Sequence, residues 1–343
     1  MNIRNLWNYF IKSYSYFHCS TKVLGSPEVY TLELTNRCIM NCRMCPHKYL
    51  TREQGNMDFD LYKKIVNQLD KSTHNILNLD GMGESFLHPN LKDFIIYARQ
   101  KGFQPRISMN PVLLSPKNIQ MVFDSGLSYI ILALDGTSQE TYEYFRGKNA
   151  NYKKAVENIN NMLEIKNREK RKEPHITLQM IQMQKNAGEV EEFRKIWNKQ
   201  GVDKIKIKKF NTYDGSHTDI IQLADTKWKP NISKTQDNPC IRPWLVFSVL
   251  WDGRVIACCK DYDGKNILGD LKKESVQEVW NNPQMVKLRE QMINKTIPKG
   301  HPCFTCFDKE GASLSKIYPL DILAKLYEIG IPRLIGHMFR NGK

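Results

Sequence analysis

The sequence predicts an α/β fold: a partial (β/α)6 TIM-like barrel followed by a small α+β domain made of a hairpin and a helix. Between residues 29 and 210, strand-like segments alternate with helical patterns of about 10 to 15 residues, which favours βα units and a parallel sheet. No glycine-rich phosphate-binding loop follows the first strand, which favours a barrel over a doubly wound sheet. Farther along, Asp252-Gly253 separates two short apolar runs, a pattern typical of a hairpin.

The predicted elements follow in order along the chain. The six barrel strands are rich in β-branched and aromatic residues, and they are predicted at 29–34, 75–79, 104–110, 129–134, 175–181 and 204–208. The five helices between them carry apolar residues at helical spacing, and they are predicted at 59–70, 91–101, 115–125, 152–166 and 189–200. The hairpin strands are predicted at 245–250 and 255–258, and the helix at about 275–293.

These segments predict five parts of the chain. The core spans 29–210, a polar, turn-rich linker spans 211–239, and the small domain spans 240–310. Amphipathic helical extensions are predicted at both ends, at 1–28 and 311–343, and their apolar stripes either contact a membrane surface or dock on the protein's own body. We expect a cytoplasmic protein, because the sequence has no signal peptide and no apolar run long enough to span a bilayer. Peripheral contact with a membrane is compatible with this location.

The charge of the chain favours anionic partners. Its formal net charge is +15, which suits a phosphorylated or nucleotide-linked substrate, a nucleic acid or an anionic membrane face. The sixth predicted strand, residues 204–208, alternates lysine with isoleucine, so that the isoleucines face inward and the lysines outward. It is either an anion-binding edge or a charged edge strand that discourages pairing with other sheets, and the second interpretation is favoured.

The nine cysteines form two groups, with Cys19 apart. Without a signal peptide, clustered cysteines are more typical of metal ligands or catalytic thiols than of structural disulfides. Cys38, Cys42 and Cys45 come directly after the first strand. Three thiolates in so tight a loop can bind three irons of a cubane cluster and leave the fourth iron open. Zinc requires a fourth ligand, for which His47 is the nearby candidate.

Polar residues also follow the other strands, at the end of the barrel where reactive groups collect. A loop with two glycines and a carboxylate, residues 80–84, follows the second strand. The remaining strand ends carry Ser108 and Asn110 on the third, Asp135 on the fourth, and Gln179 and Gln182 on the fifth. Each alone is ordinary turn chemistry. Together with the cysteine triplet they predict a cofactor site.

With these residues the chain resembles the radical S-adenosylmethionine (SAM) superfamily over about residues 29–310. Cys38, Cys42 and Cys45 match its C-x3-C-x2-C motif, which implies a 4Fe–4S cluster whose fourth iron takes the methionine moiety of SAM. Gly83 and Glu84 resemble the end of its glycine–glutamate motif, which implies contact with the SAM amino group. A proline commonly follows that glutamate, but here the next residue is serine.

The resemblance implies further SAM contacts. Ser108 and Asn110 match positions expected near the ribose or the carboxylate. Arg146, in the pattern Y-x3-R-G, resembles a carboxylate-binding arginine, with an exposed loop arginine as the alternative. We also expect Asp135 and Gln182 to bind the cofactor, because they lie at the ends of the fourth and fifth strands.

The second cysteine group, Cys240, Cys258, Cys303 and Cys306, has the spacing C-x17-C-x44-C-x2-C. The spacing alone leaves a zinc ribbon as one interpretation. After a radical SAM core, the group resembles the shortened SPASM, or twitch, domain, which implies that these four hold one auxiliary 4Fe–4S cluster. Cys259 is either a hydrogen donor to a substrate radical, as in epimerases that resemble this family, or a small buried apolar side chain, which is favoured.

The resemblance implies an oxidoreductase that reductively cleaves SAM to a 5′-deoxyadenosyl radical, with an electron donor such as flavodoxin or ferredoxin. The radical abstracts a substrate hydrogen atom, and either oxidation or epimerisation follows. We expect a small-molecule or carrier-linked substrate, sugar- or aminocyclitol-like, because the 37 residues before Cys38 are too few for the leader-binding domain of peptide modifiers.

Two alternatives remain open. One is a radical SAM maturase that modifies a ribosomally synthesised peptide. The other, of a different class, is a zinc-binding nucleic-acid-binding protein. Because basic strands with interleaved aromatics and a helix-turn-helix pattern are lacking, no nucleic-acid partner is expected.

Overall fold

The computed structural model describes residues 14–71, 75–224 and 239–306. The strands are β1 (Val29–Leu32), β2 (Ile76–Asn78), β3 (Gln104–Met109), β4 (Tyr129–Ala133), β5 (His175–Gln182), β6 (Lys204–Lys209), β7 (Val246–Val249), β8 (Arg254–Ile256) and β9 (Gly269–Asp270). The helices are α1 (Phe59–Val66), α2 (Leu91–Gln100), α3 (Pro116–Ser125), α4 (Gln139–Arg146), α5 (Tyr152–Arg168), α6 (Val190–Trp197), α7 (Thr218–Ile221), α8 (Arg242–Leu245), α9 (Val276–Trp280) and α10 (Pro283–Ile293).

The first six strands form the partial barrel. They pair in parallel and in chain order, so the predicted fold class is confirmed. Along β3 the residues alternate between buried and half-buried, because one face of the sheet packs against the helices. The other face is concave, and we call the space that it encloses the lumen. The register places Thr31, Asn78, Arg106 and Tyr129 in one row on the lumen face.

The predicted hairpin is present, with β7 and β8 antiparallel on either side of Asp252-Gly253. However, β7 also pairs in parallel with β1 over four residues, so the strands of the small domain continue the barrel sheet. An isolated two-stranded hairpin has marginal stability, and an uncovered β1 would leave unpaired backbone groups. Joining the two removes both problems.

Two helical regions differ from the expectation. Helix α4 was not predicted, because it is short and most of its residues are polar. The single helix expected at 275–293 is two helices, since Pro283 lacks the N–H that a continuous helix requires. Asn282 caps the second helix by accepting a hydrogen bond from Met285 N.

The described part of the predicted linker, residues 211–224, packs against the protein. Helix α7 buries Ile220, and the His217 ring stacks on Tyr49 at 3.7 Å between centroids. Near the N-terminus, residues 14–17 are helical, and Tyr16 is buried edge-on against Trp244. The first part of the predicted N-terminal extension, residues 1–13, and the whole predicted C-terminal extension, 311–343, lie outside the described residues. Among the described helices, none is both long and apolar enough to cross a bilayer.

Candidate active site

The cysteine loop leaves the carboxyl end of β1 and packs against the end of α4. The thiols of Cys38, Cys42 and Cys45 are half-buried. Burial raises the pKa of Cys38 to about 12 and that of Cys45 to about 11. Thiols with such high pKa values ionise only next to strong positive charge, which iron ions provide when they bind.

His47, the candidate fourth zinc ligand, lies in a short 3₁₀ turn directly after the cysteine loop. Its Nε2 is 2.7 Å from Asn36 O, so a backbone carbonyl orients the ring. This contact occupies one of the two ring nitrogens that a metal could bind. His47 therefore helps to fold the cysteine loop back onto the end of β1.

The glycine-rich loop, residues 80–84, lies directly against the end of β1. A Cβ atom on Gly83 would lie 2.3 Å from Thr35 O, which is closer than any side chain can approach. Only glycine allows this contact of two backbones. Ser85, which stands where proline was expected, donates its hydroxyl hydrogen to Leu79 O and thereby fixes the turn.

Two buried polar atoms in this region have no partner within the described chain. Glu84 is tied down by its N–H, which donates to Arg37 O at 2.8 Å, and its Oε2 accepts from Asn110 N at 3.1 Å. Its Oε1 is buried and unpaired, and so is Asn110 Nδ2. Tyr142 holds the other end of this amide by donating its hydroxyl hydrogen to Asn110 Oδ1.

These unpaired atoms fit the methionine moiety of SAM. A carboxylate oxygen such as Glu84 Oε1 accepts from an ammonium group, and an amide nitrogen such as Asn110 Nδ2 donates to a carboxylate. Burial raises the pKa of Glu84 to about 7. A cationic amino group next to Oε1 would favour the ionised form and offset the cost of burying it.

Arg146 ends α4 beside the cysteine loop. Its side chain is 13% exposed, so the alternative of an exposed loop arginine is wrong. Its Nη2 lies 2.5 Å from Asp135 Oδ2 and its Nη1 3.8 Å from Cys42 Sγ, whereas Nε has no hydrogen-bond partner among the described residues. Asp135 Oδ1 accepts from Ile181 N at 2.6 Å. Asp135 therefore orients Arg146 and joins the ends of β4 and β5.

The last two predicted SAM contacts lie apart from each other. Ser108 is on the lumen face of β3, where its N–H donates to the Asp80 carboxylate. Gln182 pairs with Lys209, and by strand alternation its side chain faces away from the lumen. Thus Gly83, Glu84, Asn110 and Arg146 come together, whereas Gln182 does not join them.

The second cysteine group lies in the small domain. Cys258 is buried, and its pKa is raised by burial and by the neighbouring Cys259 and Cys240, against the opposing effect of Arg242. Cys240 and Cys303 are half-buried and pack on the main hydrophobic core. Cys306 is the last described residue of the chain, and the joint ligation of a cluster by the four cysteines stays a prediction.

Cys259 lies on the lumen side of the small domain. It is exposed, so the favoured interpretation as a buried apolar side chain is wrong. It lines a cleft together with Thr31, Asp80 and Tyr262. The buried Cys258 and the exposed Cys259 therefore face different surroundings although they are adjacent.

Tyr213 belongs to this site although it was not a predicted site residue. Its phenol makes a hydrogen bond with Cys45 and lies close to Cys259, and burial raises its pKa. Its backbone has a φ of 57°, which is uncommon for a residue with a side chain. Tyr213 comes just after the carboxyl end of β6, so the strand-end rule applied to the sixth strand would have found it.

Comparison with known families assigns the chain. A model of the radical SAM superfamily matches residues 32–194, and a model of the SPASM iron–sulfur cluster-binding domain matches residues 240–307. The chain belongs to the radical SAM superfamily. The predicted superfamily and cofactors are thus confirmed: the enzyme uses SAM, and 4Fe–4S clusters belong to its core and to its auxiliary domain. The alternative of a zinc-binding nucleic-acid-binding protein is not supported.

The chain is similar to curated proteins over most of its length. It is 22% identical over 330 residues to the tungsten-containing aldehyde ferredoxin oxidoreductase cofactor-modifying protein of Pyrococcus furiosus, which covers 84% of this chain and 90% of that protein. It is 20% identical over 282 residues to the S-adenosyl-L-methionine-dependent 2-deoxy-scyllo-inosamine dehydrogenase of Niallia circulans, which covers 80% of this chain and 90% of that one.

Solved structures share the fold. BtrN in complex with AdoMet and 2-DOIA matches with a TM-score of 0.53 at 17% identity, over 82% of this chain and 93% of BtrN. Streptococcus suis SuiB bound to S-adenosylmethionine matches with a TM-score of 0.62 at 11% identity, over 83% of this chain and 72% of SuiB. Members of the superfamily act on small molecules or peptides and require an electron donor.

Proposed function

We propose that this protein is a radical SAM epimerase in which Cys259 returns a hydrogen atom to a substrate radical. The position of Cys259 carries the proposal, because an exposed thiol on the lumen cleft can reach a substrate. Its neighbour Cys258 is buried and faces Cys240. In this proposal Cys38, Cys42 and Cys45 hold the SAM cluster. The auxiliary cluster is held by Cys240, Cys258, Cys303 and Cys306.

The residues of the core orient the cofactor. Glu84 accepts from the SAM amino group, while Asn110 and Arg146 donate to its carboxylate, and Asp135 keeps Arg146 in place. When bound and reductively cleaved, SAM supplies a 5′-deoxyadenosyl radical that removes a hydrogen atom from one face of a substrate carbon. Residues 80–84 connect this region with the cleft, since Asp80 and Cys259 both line it.

Cys259 completes the inversion. Its S–H bond breaks as a new C–H bond forms on the opposite face of the substrate carbon, which leaves a thiyl radical on the cysteine. One electron from the external donor and one proton from water restore the thiol. The net result is a substrate of inverted configuration, with no net oxidation of the substrate.

Oxidation is the second candidate, and the similarity to the dehydrogenase of Niallia circulans favours it. In that reaction the substrate radical loses one electron and one proton instead of gaining a hydrogen atom. Cys259 is then not required for turnover. The two candidates therefore predict different products and a different effect of replacing Cys259.

Turnover in deuterated water distinguishes them. The reconstituted holoenzyme is given SAM, dithionite and a panel of aminocyclitols, sugar phosphates and nucleotide sugars. For an epimerase we expect one deuterium at the inverted carbon, because the Cys259 thiol exchanges with solvent. Cys259→Ala should lose this product while still forming 5′-deoxyadenosine. Cys19→Ala, which alters an exposed cysteine outside the lumen, should behave as the wild type.

The opposite results are equally clear. A product two hydrogens lighter, formed at the same rate by Cys259→Ala, would establish the dehydrogenase and exclude the epimerase. A deuterated epimer formed by Cys259→Ala would show that another group donates the hydrogen atom.

A further inference from the structure

Basic side chains line one wall of the lumen. The parallel register pairs three of the four lysines of β6 with lumen residues of β5: Lys204 with Thr177, Lys206 with Gln179, and Lys208 with Ile181. Because paired residues of parallel strands share a face, the three lysines point toward the lumen. Ile205 and Ile207, which alternate with them, pack against the hydrophobic core. The expectation that the isoleucines face inward is confirmed, and the outward face is the lumen.

Protection of a sheet edge explains the lysines but not Arg106. In the described residues β6 is the edge strand, so its charges do oppose pairing with other sheets. Arg106 instead lies on β3, between Asn78 of β2 and Tyr129 of β4. A strand with neighbours on both sides has no edge to protect. Moreover, Arg106 Nε is buried without a hydrogen-bond partner in the described part of the chain, which costs free energy.

The positive charges on this wall are close enough to repel one another. The side chain of Lys206 is exposed as a whole, but partial desolvation of its ammonium group lowers its pKa, and so do the neighbouring Lys208, Arg106 and Lys204. Among the described residues, Asp80 is the carboxylate that interacts with Arg106 and Lys208, and burial raises its pKa. One carboxylate whose ionised form is disfavoured does not neutralise four cations. An anion bound among them would.

We infer that Arg106, Lys206 and Lys208 bind the phosphoryl group of an anionic substrate, such as a phosphate or diphosphate ester. A guanidinium donates two parallel hydrogen bonds to phosphoryl oxygens, and lysines add point charges around them. Asp80 lies between this wall and the cleft of Cys259, so an anchored phosphoryl group leaves the rest of the substrate toward that thiol. The inference rests on the proposed function in one respect: the substrate occupies the same lumen.

Calorimetric titration of the holoenzyme with inorganic pyrophosphate, at one fixed salt concentration, tests the site. We expect Lys206→Gln and Arg106→Gln each to weaken binding about tenfold, as loss of one charge-assisted contact does. Lys209→Gln is the matched control, since Lys209 is an exposed lysine of the same strand whose side chain alternates to the opposite face. It should change the affinity less than twofold.

Two results would overturn the inference. One is an unchanged affinity in Lys206→Gln, and the other is an equal loss in Lys209→Gln, which would indicate nonspecific attraction to positive charge. Lys206 is exposed, so its replacement does not threaten folding, and Arg106→Lys serves as a second variant if Arg106→Gln unfolds. The same titration with inorganic phosphate distinguishes a monophosphate site, with equal affinity, from a diphosphate site, with weaker phosphate binding.

The experiments can refute the proposed anion site and the proposed epimerase reaction independently of each other. Pyrophosphate binding that depends on Lys206, without deuterium in any product, would leave the anion site standing and remove the epimerase. Deuterated epimers of neutral sugars, without pyrophosphate binding, would do the reverse.

Discussion

The two walls of the lumen treat charge in opposite ways. On the wall of β1 and β7, Glu33 and Arg52 form a buried ion pair, in which the side chain of Arg52 is 3% exposed and that of Glu33 4%. Both guanidinium ends contact the carboxylate at 2.6 Å, and Arg52 Nε donates to Tyr262 O. Glu33 Oε2 also accepts from Met82 N at 3.0 Å. The charges of Glu33 and Arg52 are therefore paired with each other within the protein.

On the wall of β3 and β6, the positive charges are not neutralised by carboxylates of the described residues. Arg106 has a buried nitrogen without a partner in the described residues, and Lys206 faces other cations. Both walls line the same lumen, so the difference between them lies in how the charges are paired. The comparison teaches that the charge of the first wall is paired within the fold, whereas the unpaired charge of the second marks the place where we infer that an anion binds.

The largest effect is expected from breaking the neutralised wall. Arg52→Leu leaves Glu33 as a buried anion without its cation, which should lower the free energy of unfolding by about 3–5 kcal/mol. Urea denaturation measures this. Arg254→Leu is the control, because the Arg254–Asp252 pair is partly exposed and should contribute less than about 1 kcal/mol. Equal losses would contradict the role assigned to burial.

The second largest effect is expected from Gly83→Ala. Gly83 lies in the glycine-rich loop that connects the wall of β1 and β7 with the cofactor site. The added Cβ displaces backbone near Thr35 and moves Glu84, so SAM cleavage to 5′-deoxyadenosine should fall about a hundredfold. Gly188→Ala is the matched control, since a Cβ there meets nothing within 4 Å. Wild-type cleavage by Gly83→Ala would show that the loop shifts without consequence.

Glu84 is a buried carboxylate whose Oε1 has no partner among the described residues, so it shows what an unpaired charge costs when no ligand is bound. Burial raises its pKa from 4.5 to about 7, so between these values the folded protein binds more protons than the unfolded chain. Its contribution to stability is therefore present below pH 4.5 and is lost as the pH rises through 7. Without SAM, Glu84→Gln should be more stable than the wild type at pH 8 by about 1–3 kcal/mol.

The readout for Glu84 is thermal unfolding of SAM-free protein at pH 4 and pH 8. The two proteins should differ at pH 8 and converge at pH 4, while Glu84→Gln binds SAM more weakly at pH 8. A stability difference that does not depend on pH would show that Glu84 does not titrate in this window.

The smallest effect is expected on the unneutralised wall. Lys206→Gln removes a cation that faces cations, so the free energy of unfolding should stay within about 0.5 kcal/mol of the wild type. Denaturation of Lys206→Gln beside Lys209→Gln measures it. A loss above about 1 kcal/mol in Lys206→Gln alone would mean that Lys206 stabilises the fold, and the difference between the walls would disappear.

Much of the fold could be predicted because its signals are local. The six barrel strands and the hairpin were found within a few residues, since alternation and turn residues lie in the segments themselves. Helix α4 was missed because it is only eight residues long and buries only Thr141, Tyr142 and Phe145, so few apolar residues mark it in the sequence. The break at Pro283 was readable, because proline is tolerated at the start of a helix and not in its interior.

The site was predicted in part for the same reason. The cysteine spacing, Gly83 and Glu84 lie in short motifs, and the structure brings Asn110 and Arg146 to them. Tyr213 was missed because its neighbours Cys45 and Cys259 are distant in sequence. The described part of the predicted linker packs on the protein through contacts of the same long-range kind, such as that of His217 with Tyr49.

The sequence by itself determined the superfamily and the barrel, because the first cysteine motif, the glycine-rich loop and the periodicity of each element depend on residues a few positions apart. Only the tertiary structure decided which way the lysines of β6 and Cys259 face. Alternation separates one face of a strand from the other, but strand pairing and the curvature of the sheet decide which face encloses the lumen. Those are set by neighbours such as β5 and β1, which lie far away in the chain.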